Sequence, residues 1–163
     1  MIVFILIFSF LFESAFSNLV HINSFLTPLF TLTTLVLIYP YFNNKKMNYI
    51  IVCFLMGLFY DISFCDSIFV NTISFGILGS LIMLCYNYVK YNIYTSNIIN
   101  VIILITYRIL SYIIVLSVNY VSFNNRVFFR GIYNSLLINI VYGILLYFTL
   151  ELLAKIFNKK IVE

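Results

Sequence analysis

Apolar segments of membrane-spanning length follow one another along nearly the whole chain, separated by connectors of only a few polar residues. Such a sequence cannot clothe a water-soluble surface, because charged side chains make up 9% of it, against roughly a quarter in soluble domains. With 163 residues and a mean hydropathy of +1.10, there is room for about six spans of ~20 residues and for no separate soluble domain. Each span must be helical, since hydrocarbon offers no partner for backbone N–H and C=O groups. A β-barrel would need alternating polarity, which the long apolar runs lack.

The hydropathy pattern predicts spans over about 2–18, 28–42, 47–64, 68–88, 98–120 and 131–154, within one membrane domain covering 1–163. Pro28 suits the first turn of the second span, where a missing N–H does no harm. The segment before Phe12 has no Lys or Arg ahead of it and no small-residue cleavage pattern after it, so it reads as a retained span and not a signal peptide. Orientation follows from the basic residues. With the N-terminus inside, the cytoplasmic face receives Lys45, Lys46, Lys90, Lys155, Lys159 and Lys160, and the outer face only Arg126 and Arg130. Both termini are then cytoplasmic, with tyrosines such as Tyr39, Tyr41, Tyr86, Tyr88 and Tyr91 at the inner interface.

Ionisable groups within the slab are costly and therefore informative. Arg108 lies ~15 Å from the cytoplasmic side, Glu13 ~18 Å and Asp61 ~21 Å, on a helical rise of about 1.5 Å per residue. The depth match makes Glu13 the preferred partner of Arg108 in a buried polar anchor, with Asp61 second; a snorkelling Arg108 is the bland alternative. Glu151 and Lys155 form an i,i+4 pair at a wet helix end. Gly57 stands one turn before Asp61 on the same face, where it would let a neighbouring helix approach. On the fourth span Thr72, Gly76 and Ser80 recur every four residues, a small-residue stripe suited to close helix packing, within the bundle or against a partner.

No catalytic constellation emerges. The chain has no nucleophile elbow, zinc-protease motif or glycine-rich phosphate loop, and His21 is the only histidine. Cys53, Cys65 and Cys85 form no metal-binding spacing and read as apolar filler. The modest net charge of +4 is scattered, which gives nucleic-acid binding no support. No enzymatic activity, cofactor or metal is expected.

The run Phe54-Leu55-Met56-Gly57-Leu58-Phe59-Tyr60-Asp61, followed by Asn71-Thr72-Ile73-Ser74-Phe75-Gly76-Ile77-Leu78-Gly79, resembles the signature of the MreD family of rod shape-determining membrane proteins. Gly57, Asp61, Asn71 and Gly79 match the family's signature turn, although the connector after Asp61 lacks the glycines usual there. The resemblance implies a non-enzymatic scaffold of cell-wall elongation in a bacterial plasma membrane. Its implied partners are MreC, MreB and the glycosyltransferase/transpeptidase pair that builds peptidoglycan. It also implies a bundle similar to the substrate-binding subunits of energy-coupling-factor vitamin transporters, and so supplies a rival reading. As such a subunit the chain would bind ligand through Asp61, Arg108 or Asn119. It would also dock its energising partner through alanines on the first span, where only Ala15 is present.

Overall fold

The computed structural model describes residues 2–19, 28–42, 45–64, 69–117 and 125–156. His21, Cys65, Asn119, Lys159 and Lys160 lie outside the described residues. The described chain forms helices α1 (Ile2–Leu19), α2 (Phe30–Ile38, continued by a 3-10 turn over Tyr39–Phe42), α3 (Lys46–Phe64), α4 (Val70–Tyr88), α5 (Ile93–Ser117) and α6 (Asn125–Ile156). Helices α3 to α6 are long and apolar enough to cross a membrane, whereas α1 and α2 with its turn are apolar but shorter. The chain is an all-α integral membrane bundle.

The short α2 is the axis of the bundle. Every residue from Phe30 to Ile38 is buried, and α2 packs against α1, α4, α5 and α6. The other helices turn large apolar side chains outward: Phe4 of α1, Ile62 of α3, Ile113 of α5 and Leu137 of α6 are all exposed. Outward-facing side chains of this kind suit acyl chains as solvent.

Two helices start earlier than the hydropathy pattern predicts, α5 by five residues and α6 by six. The start of α5 has a local cause. Asn92 caps it: its Oδ1 accepts from Ile93 N at 2.6 Å, and its own N–H donates to Thr95 Oγ1 at 3.0 Å. The polar run Tyr94-Thr95-Ser96-Asn97 is therefore a first helical turn and not a loop, since side chains that disfavour helix interiors stabilise helix starts. Helix α2 begins at Phe30, so Pro28 precedes the helix with Leu29 at the cap position.

Helix ends are matched by aromatic contacts at one end of the bundle. Tyr39 stacks on Tyr86 at 5.5 Å between centroids, Tyr41 meets Tyr91 at 6.0 Å, and Tyr91 meets Tyr147 at 5.2 Å. Lys45, Lys46, Lys90 and Lys155 are exposed at this same end, and Lys155 pairs with Glu151 at 3.2 Å. Tyrosines beside lysines are the expected furniture of a membrane–water interface.

Candidate functional site: a buried polar belt

Helices α2 and α4 have cap positions, Leu29 and Phe69, that offer no side-chain hydrogen bond, and their first turns hold the buried residues Thr31, Asn71 and Thr72. Unsatisfied N–H groups at a helix start must find acceptors, above all where water is scarce. In both cases a carboxylate on the preceding helix supplies them. Asp61 of α3 accepts from Asn71 N at 2.9 Å through one oxygen. Through the other it accepts from Thr72 N at 2.8 Å and Thr72 Oγ1 at 2.6 Å. Glu13 of α1 accepts from Thr31 N at 2.8 Å and Thr31 Oγ1 at 2.7 Å through one oxygen, and from the Tyr60 hydroxyl through the other. Both acids are buried. Each works as a cap supplied in trans, placing acceptor oxygens at the positive end of the helix dipole.

Neighbouring contacts extend the pair into a belt that crosses all six helices. Tyr60 and Asp61 are adjacent on α3, yet one bonds α1 and the other bonds α4. The Tyr107 hydroxyl of α5 donates to Asn71 Oδ1 at 2.7 Å. Asn139 of α6 accepts from Leu29 N at 2.8 Å, adding a second acceptor at the start of α2, and Tyr142 of α6 shares a 3.2 Å hydrogen bond with Thr34.

Glycines set the distance between α3 and α4. A Cβ on Gly57 would lie 2.6 Å from Asn71 O and 2.7 Å from Thr72 Cα, so the backbone of α4 occupies the space a side chain would need. One turn further along α3, Asp61 reaches the amides at the start of α4. Gly79 faces Cys53, with a Cβ position 2.8 Å from its Sγ, and Gly76 faces the ring of Phe54. Thr72 and Gly76 of the small-residue stripe thus turn toward α3 within the bundle, while the hydroxyl of half-buried Ser80 bonds back to Gly76 O at 3.2 Å.

The hydrogen bonds of the Glu13 carboxylate go to Thr31 and Tyr60. Arg108 is half-buried and within electrostatic reach of Glu13, but it is not among those partners. Its guanidinium carbon lies 5.9 Å from the centroid of the Tyr107 ring, at the edge of cation–π range. Among the described residues no group of three His, Cys, Asp or Glu side chains comes together that could hold a metal ion.

A family model described as rod shape-determining protein MreD matches residues 1–157. The chain belongs to the MreD family. No curated protein and no solved structure matches it. MreD membership makes this chain a rod shape determinant of the membrane, and cell shape its field of action. Within it, Gly57, Asp61, Asn71 and Gly79 all lie in the α3–α4 hairpin. Thr31, Tyr60, Tyr107 and Asn139 do as much structural work in the belt, and hydropathy does not single them out. Two signals were open to reading: the threonine run Thr31, Thr33, Thr34 just after Pro28, and a tyrosine directly beside the buried aspartate.

Proposed function

We propose that the chain is a non-enzymatic scaffold of the elongation complex in a bacterial plasma membrane, with both termini cytoplasmic and all six helices spanning the bilayer. On this reading its partners are MreC, MreB and the glycosyltransferase/transpeptidase pair. The observation that carries the reading is how the buried carboxylates are used. Glu13 and Asp61 have their oxygens engaged by helix starts and by Tyr60, an arrangement that fixes helix positions and presents a rigid surface to partners. The exposed lysines beside the tyrosine cluster support placing that end in the cytoplasm. Gly57, Asp61, Asn71 and Gly79 then serve as the signature turn, with Thr72, Gly76 and Ser80 in helix contact and Arg108 adding its field to Glu13.

Affinity purification of the tagged chain in mild detergent, with mass spectrometry of everything retained, tests this. Recovery of MreC and the elongation synthases is the expected result. Recovery of paired ATPases with a transmembrane coupling subunit would replace the scaffold with a vitamin-uptake role.

A further inference from the structure

The helices share one level at the lysine end and a second at the polar belt, but they do not stop together beyond it. Lys46 opens α3, Ile93 opens α5, and Lys155 lies in the last turn of α6. From there to Asp61, Tyr107 and Asn139 is ~21–24 Å of helix in each case. Past the belt the helices differ. α2 begins at Phe30 and α4 at Val70, each next to a residue that the belt caps. α3 ends at Phe64 and α1 at Leu19, ~5 and ~9 Å past their acids. α5 runs on to Ser117 and α6 back to Asn125, which adds ~15 and ~21 Å.

The bundle therefore has two heights. Lys155 to Arg126 along α6 measures ~44 Å, the full thickness of a bilayer with its headgroups. Lys46 to Phe64 along α3 measures only ~27 Å. α2 with its 3-10 turn is shorter still, at ~21 Å. Arg108 is a second, independent observation. It sits half-buried on α5, ~14 Å short of the far end of that helix, a depth at which a charge in undisturbed hydrocarbon is costly. Its field acts on Glu13 of α1 and Tyr60 of α3, so it lies toward the low side of the bundle.

We propose that the chain thins the bilayer on one side: the leaflet opposite the lysines is drawn down by roughly 10–15 Å beside α1 and α3 and keeps its full height beside α6. Thinning is how a bilayer accommodates a short apolar stretch, and it brings headgroups and water within reach of Arg108. It also lets α1 and α2, the two shorter apolar helices, approach both interfaces. The step exists whichever face is cytoplasmic.

Ile62 and Leu137 test it. Both face outward, 73% and 69% exposed, and they lie ~24–27 Å from the lysine level, Ile62 on α3 and Leu137 on α6. In a bilayer of even thickness the two sit at one depth. A keto-bearing amino acid at each position in turn carries a nitroxide and leaves the native cysteines alone. The full chain is reconstituted in vesicles of dioleoyl phosphatidylcholine and phosphatidylglycerol, and relaxation by oxygen and by a water-soluble nickel chelate reports depth. The label at 62 is expected at the boundary of chains and headgroups and the label at 137 among the chains, with nickel accessibility several-fold higher at 62. Equal oxygen-to-nickel ratios mean an even bilayer crossed by tilted α5 and α6, and overturn the proposal. Shielding of 62 from both reagents means that protein covers α3, and overturns it as well. In dimyristoleoyl lipids the contrast should shrink, because that bilayer is already thin enough for α3. A contrast indifferent to chain length means a fixed crevice in place of a lipid step, and refutes it.

Discussion

The Asp61 carboxylate accepts both the amide and the hydroxyl of Thr72, at 2.8 and 2.6 Å, although the two residues sit on different helices. Glu13 and Thr31 repeat the arrangement one hairpin earlier, at 2.8 and 2.7 Å. A threonine just inside the helix start gives the incoming carboxylate two donors at once, and the carboxylate serves the second helix of its own hairpin. The bundle therefore does not depend on lipid-facing apolar packing alone, which distinguishes poorly between one helix rotation and another.

Asp61→Ala would strip the acceptor from two backbone amides and a hydroxyl in a buried setting. The expected loss is about 3 kcal/mol of stability, read as a lower unfolding midpoint in detergent. Asp61→Asn should fall between the parent and Asp61→Ala, because an amide keeps one acceptor oxygen but brings an N–H2 toward groups that already donate. An unchanged midpoint for Asp61→Ala would refute the trans-cap account.

Glycine substitutions should rank by what their new methyl group meets. Gly57→Ala pushes against the backbone of Asn71 and Thr72 and is expected to cost about 1–3 kcal/mol, since two helix backbones must part. Gly79→Ala meets Cys53, whose Sγ can turn away although its Cβ at 3.0 Å cannot, and should cost less than Gly57→Ala. Gly131→Ala meets nothing within 4 Å and should be neutral or slightly stabilising. Unfolding midpoints of the three variants settle the order, and equal losses at 57 and 131 would contradict it.

The helices and the single packed bundle are legible in the sequence because hydropathy is summed over twenty residues at a time. The α3–α4 hairpin is legible because glycine and aspartate are conspicuous in an apolar run. Three things are not. Depth alone brings Glu13 and Arg108 to a similar level, but which group a carboxylate bonds depends on helix rotation, and here the start of α2 and Tyr60 hold the Glu13 oxygens. The first turn of α5 reads as a connector because Asn, Ser and Thr look the same in a cap as in a loop, and that of α6 because Asn125, Arg126 and Arg130 interrupt the apolar run. The roles of Tyr60 and Tyr107 depend on the hydroxyl at the far end of an aromatic ring, which composition counts as apolar.

Tyr60→Phe removes one donor from Glu13 while leaving the ring in place against Phe75 at 5.4 Å and Phe10 at 6.3 Å. Its cost should be about 1–3 kcal/mol, the range for a hydrogen bond to a charged or fully buried acceptor. Glu13→Ala combined with Tyr60→Phe should cost less than the two single changes added together, because both remove the same contact. Additive losses in a double-mutant cycle would show that the two side chains act independently.

Charge reversal tests how Arg108 relates to Glu13. If the two formed a hydrogen-bonded ion pair, Glu13→Arg would rescue Arg108→Glu, since the exchanged charges would meet in the old geometry. The structure points the other way: an arginine at position 13 would present donors to Thr31 N and Thr31 Oγ1, which already donate there, and to the Tyr60 hydroxyl. The double variant is therefore expected to accumulate and melt no better than Arg108→Glu alone. Arg108→Gln, which removes the charge and keeps a polar head, should be milder than either, because an electrostatic influence across a gap is weaker than a direct contact. Membrane levels and melting temperatures of the four proteins decide the matter, and full rescue by the double reversal would restore the direct pair.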